Sequence, residues 1–85
     1  MIGRRVYPNE SGHLLDMAEG DYGQDADGRW MARPPRSDAG RLTWLGRRDR
    51  GWDITEHEDG TITASPSIDT GTWHGFLERG VWRDA

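Results

Sequence analysis

The sequence has no cysteine, so disulfide staples and thiolate metal sites are excluded and no redox compartment can be inferred. It has no lysine either. All eleven basic residues are arginine, a bias that points to a GC-rich coding genome more than to a function. Apolar residues make up only 33% of the chain, and no run of them approaches the roughly 18–20 residues that cross a bilayer. The N-terminal segment lacks an apolar signal-peptide core, so the expectation is a soluble cytoplasmic protein. A chain this short buries about 60–65% of its unfolded surface, which leaves a thin core in one small domain, residues 1–85.

Set against those shortages are five tryptophans, Trp30, Trp44, Trp52, Trp73 and Trp82. Each indole buries roughly 150–250 Å², so together they supply most of a minimal core. A core this slight has fewer sheltered positions than that, and the surplus is expected at a contact surface. Charge is segregated. Asp16, Glu19, Asp21, Asp25 and Asp27 lie in an acidic, glycine-rich stretch, residues 16–28, that reads as a mobile loop. Arg29, Arg33, Arg36, Arg41, Arg47, Arg48 and Arg50 follow, opposed only by Asp38 and Asp49. Such a dipolar chain either docks a partner of mixed charge or neutralises its own surface.

The pattern along the chain predicts a mainly β fold. The expectation is a small antiparallel sheet of five to seven short strands built from hairpins, with at most one short helical turn. Ile2–Tyr7 alternates apolar and basic residues up to Pro8, an edge strand with its arginine pair facing water. Residues 13–19 read as a helical turn capped by Ser11, or as a strand over 13–17, and the run is too short for periodicity to decide. Residues 29–33 form a strand stopped by Pro34-Pro35, residues 37–40 a turn, and residues 41–45 a further strand. The clearest element is the hairpin from Trp52 to Ala64. It turns at Glu58-Asp59-Gly60, with Gly60 suited to positive φ, and its ladder ends at Pro66. Residues 73–77 and 81–83 make a last hairpin around Arg79-Gly80.

The segment Gly40–Leu45 followed by Trp52-x-Ile54, Asp59-Gly60-Thr61-Ile62-Thr63, Pro66-Ser67-Ile68 and His74-x-Phe76-Leu77-x-x-Gly80-Val81 resembles an uncharacterised family of small bacterial and phage proteins. The ending Trp73-His74-Gly75-Phe76-Leu77-Glu78-Arg79-Gly80-Val81-Trp82 resembles short proteins of phages that infect actinobacteria. The resemblance covers residues 40–83 and implies a scaffold and a source, not a reaction. Longer members look like zinc binders, with one cysteine three positions before the histidine. Gly71 stands there in this chain, so the metal site does not carry over.

Three imidazoles are available, His13, His57 and His74, with Glu56, Glu58, Asp59 and Asp69 as neighbouring carboxylates. None of their spacings matches a helical His-x-x-x-His pair or a zinc knuckle, and no metal or other cofactor is expected. Ser65 or Ser67 with His74 is a conceivable nucleophile pair, yet no strand–nucleophile–helix elbow supports it. The expectation is therefore no catalytic residue and no enzyme. Arginine and tryptophan are enriched at the energetic centres of protein interfaces, where contact area combines with bidentate bonding. Trp30, Arg33, Trp44, Arg47 and Arg48 are the candidates for contact. Trp73 suits contact or core, while Trp52, Ile54, Ile62, Ile68, Phe76, Leu77, Val81 and Trp82 are the core candidates. These residues point to a protein-binding module, and the resemblance implies a phage-type accessory protein that binds a host or phage protein in host takeover or counter-defence, or pairs with itself. A single-stranded nucleic-acid-binding module is the alternative, since tryptophan among arginines offers stacking and phosphate contacts, although the net charge of −4 opposes it. A small virion component is a further alternative.

Overall fold

Short polar side chains that bond their own backbone set the turns of this chain. Asn9 Oδ1 accepts the amides of Ser11 and His13, Asp25 Oδ1 those of Asp27 and Arg29, Asp59 Oδ1 that of Thr61, and Asp69 Oδ1 that of Gly71. Each bond supplies locally what a strand partner would otherwise supply, so the chain reverses at these points. The computed structural model describes residues 1–37, 42–46 and 52–85. Between the turns run β1 (Arg4–Val6), β2 (Asp21–Gln24), β3 (Trp30–Ala32), β4 (Thr43–Gly46), β5 (Asp53–Glu56), β6 (Ile62–Asp69), β7 (His74–Glu78) and β8 (Val81–Asp84). The fold is all-β, with no helix among the described residues.

The strands form two four-stranded sheets, in the orders β1-β2-β3-β4 and β5-β6-β7-β8. Every pairing is antiparallel except β1 with β2, which is parallel. Among the described residues, backbone hydrogen bonds join the sheets at two places. Met1–Gly3 lies along the outer edge of β8 before entering β1. There Gly3 N donates to Gly80 O at 2.7 Å, Trp82 N donates to Met1 O at 2.8 Å, and Ile2 faces Val81. On the far side, Trp52 N donates to Leu45 O at 3.2 Å. Both sheets therefore wrap one core, made of Tyr22, Trp30 and Leu45 from the first and Ile62, Ile68, Trp73, Leu77 and Trp82 from the second. Trp73 and Trp82 meet edge to face, with ring centroids 5.5 Å apart.

The final hairpin turns at Arg79 and Gly80, whose φ values of 46° and 76° give the two left-handed residues of a type I′ turn. Gly75 is required on β7, because a Cβ there would overlap the Trp73 ring and the Arg83 carbonyl.

Several expectations are corrected. Residues 13–19 form neither a helical turn nor a strand; they are a loop that buries Leu14 and Met17 against Met31. Within residues 16–28, Asp21–Gln24 is an interior strand of the first sheet rather than loop, and Asp21 and Asp25 are buried because arginines neutralise them. The ladder of the 52–64 hairpin does end before Pro66, at the pair of Asp53 with Ser65, but the strand itself runs on past the proline. Ala64 pairs with Leu77 and Ile68 with Gly75, so β6 carries extra residues at a bulge, the place in a sheet where proline is tolerated. Phe76 and Val81 are not core, since alternation along β7 and β8 turns them outward while Leu77 and Trp82 face in. The arginines of β1 also separate: the Arg4 side chain is 69% exposed, that of Arg5 only 12%.

Candidate functional site

The two sheets use most of the indoles for themselves. Trp82, Trp73 and Trp30 are 2%, 4% and 5% exposed, and Trp52 is half-buried with its Nε1 donating to Ser67 O at 3.2 Å. Trp30 and Trp73 are therefore core residues, and Trp30 keeps only a small part of its ring at the wall of an open cleft. Trp73 also donates its Nε1 to Asp84 Oδ1 at 2.6 Å. Trp44 is different, at 52% exposed. Trp30 pairs with Gly46 and Met31 with Trp44, so Leu45 is the extra residue of a bulge in β4. Alternation along β4 puts Leu45 fully into the core and Trp44 on the outer face.

The Arg29 guanidinium lies over the Trp44 ring, 5.2 Å from its centroid. Two carboxylates fix it there: Arg29 Nε donates to Asp25 Oδ2 at 3.0 Å and Nη2 to Asp27 Oδ2 at 3.1 Å. Burial by itself would raise the Asp25 pKa. The amide and guanidinium of Arg29 outweigh it and hold the carboxyl below its ordinary value. The result is a flat indole backed by a charge that its own hairpin has already oriented. A planar pair of this kind meets a partner without first losing side-chain freedom.

Of the other candidates, Arg33 is half-buried and donates from Nη1 to Met17 O at 2.8 Å, which ties down the loop before β2 rather than facing outward. Arg47 and Arg48 lie outside the described residues. Among the described residues the structure thus leaves Trp44 as the exposed member of the expected set and adds Arg29, which the sequence signals only through the Asp25-x-Asp27-x-Arg29 spacing of a self-bonding turn.

A second arginine has a structural role that the sequence does not signal. The Arg5 guanidinium sits between Tyr7 and Trp30, 4.7 and 5.0 Å from the ring centroids. Its Nη1 donates to Glu56 Oε2 at 2.7 Å and to Gly60 O at 2.8 Å. It thereby locks β1 to the β5–β6 hairpin. Beside it an open cleft of about 440 Å³ is lined by Gln24, Trp30, Ile54, Thr55 and Glu56.

The histidines are engaged with hydroxyls or exposed. His57 Nε2 meets Thr63 Oγ1 at 2.7 Å, and His13 lies at the surface. His74 Nε2 and Ser67 Oγ are brought together at 3.0 Å, on an open face, and among the described residues no carboxylate bonds the His74 ring. Among the described residues no group of three or more His, Cys, Asp and Glu side chains could hold a metal ion. No described helix is long and apolar enough to cross a membrane.

No family model, curated protein or solved structure matches the chain.

Proposed function

We propose that this chain is a non-catalytic protein-binding module that grips its partner through Trp44 and the Arg29 stacked on it. The observation that carries this reading is the exposure of Trp44 in a domain that buries or half-buries its other indoles. A large ring turned to water by strand alternation, and backed by an oriented guanidinium, has the composition of an interface centre. The setting we propose is that of a small phage accessory protein acting on a host or phage protein in the bacterial cytoplasm, which rests on the resemblance of residues 40–83. The nucleic-acid alternative is the weaker reading, because Arg4, Arg5, Arg29 and Arg83 each already hold a carboxylate.

A photo-crosslinking residue placed at position 44, and separately at position 76, tests the face. Phe76 is also outward-facing but lies on the second sheet. The expected result is a protein adduct of defined mass from position 44 and none from position 76 in lysate of the infected host. Equal labelling from both positions contradicts the assignment.

A further inference from the structure

The four outer edges of the two sheets are not equivalent. Met1–Gly3 covers the start of β8 and continues into β1, so those edges are sewn together. On β5, His57 N bonds Thr61 O and the register pairs Thr55 with Thr63. Antiparallel geometry then directs the backbone groups of Thr55 toward β6 and those of Ile54 and Glu56 away from it. Among the described residues, nothing accepts or donates to the N–H and C=O of Ile54 and Glu56. The open cleft lies beside that edge, with Trp30 and Ile54 as its apolar surface and Gln24 and Glu56 as its polar one. Hairpin residues 53–61 carry Asp53, Glu56, Glu58 and Asp59; Arg5 pairs with Glu56, which leaves the hairpin acidic through Asp53, Glu58 and Asp59.

We propose that the edge of β5 accepts an extended, basic segment of a partner protein as an added β-strand. Four residues of β5 offer about 13 Å of edge, enough for a segment of four or five residues. Backbone bonding to Ile54 and Glu56 holds the segment, while alternate side chains enter the cleft. An aliphatic one rests on Trp30 and Ile54, and a neighbouring lysine or arginine meets the Oε1 side of the half-exposed Glu56 carboxylate, whose Oε2 is held by Arg5. The acidic hairpin selects a basic segment over an acidic one by like-charge repulsion. This surface shares no residue with Trp44 and Arg29, so it stands or falls separately from the function proposed above.

The test uses the full chain and an end-blocked hexapeptide of alternating lysine and valine, followed by amide exchange. Binding is expected to slow exchange at Ile54 and Glu56 by about tenfold or more at saturation. A hexapeptide N-methylated at alternate amides keeps the side chains but loses strand pairing, and is expected not to bind. A glutamate-for-lysine hexapeptide is expected not to bind either, and Glu56→Gln is expected to weaken the lysine peptide several-fold. The proposal is overturned if the lysine peptide fails to saturate at millimolar concentration, or if the N-methylated or glutamate peptide binds equally well. Protection of the same amides in peptide-free protein, together with a dimeric mass, assigns the edge to a second copy and also overturns it.

Discussion

At the scale of single residues, the acids of this chain work as turn-builders before they work as charges. Asp25 accepts two backbone amides and the Arg29 guanidinium, which together outweigh its burial and keep its pKa below the ordinary 3.8. A carboxyl that titrates lower when folded contributes its full stability at neutral pH. That contribution is lost as pH falls from about 4 through the folded value. Asp25→Asn is therefore expected to be less stable than the parent at about pH 7, with the gap closing toward about pH 2. Denaturant melts across that range measure it, and a gap independent of pH contradicts the assignment. Trp44 was legible in the sequence as one of several exposed candidates. Which of the indoles is outward was not, because alternation says that Trp44 and Leu45 face opposite ways but not which face the core takes. Arg5 was misread for a related reason. Alternation on a short strand says that neighbours face opposite ways, but not which of two arginines finds rings to stack on.

At the scale of elements, the hairpins were the readable part. Asp59-Gly60 and Arg79-Gly80 combine a bonding or left-handed residue with glycine, and both turns form where the sequence places them. Gly80→Ala puts a side chain at φ 76° and against the Tyr22 hydroxyl and Thr61. Its expected cost is about 1–3 kcal/mol of stability, read from the shift of the unfolding midpoint. Unchanged stability contradicts the turn assignment. β2 was hidden because Asp21 and Asp25 look like solvated loop charges until Arg4 and Arg29, distant and near in sequence, are placed on them. Residues 13–19 looked amphipathic, yet only Leu14 and Met17 are buried there, and a loop achieves that as well as a helix. Placing Phe76 beside Leu77 in the core overlooked the period of two that strands impose.

For the whole molecule, the joining of two sheets around one core is what lets so apolar-poor a chain fold. Residues 1–3 make that junction, with backbone bonds from Gly3 to Gly80, from Trp82 to Met1 and from the N-terminal amine to Trp82. Removing residues 1–3 is expected to lower stability by about 2–4 kcal/mol at a net 0.5–1.5 kcal/mol per bond, and to expose the Trp82 amide to exchange. Loss of stability without faster exchange at Trp82 contradicts this account of the junction.

The proposed binding role rests on the same economy, since a domain that spends its other indoles on its interior leaves Trp44 outside. The most direct measurement is calorimetric titration of the crosslinked partner into the parent chain and into Trp44→Ala, each checked by thermal melting. The account predicts a loss of about 2 kcal/mol or more in binding, roughly thirtyfold, with the melting temperature essentially unchanged. Undiminished affinity in a folded Trp44→Ala protein would contradict it.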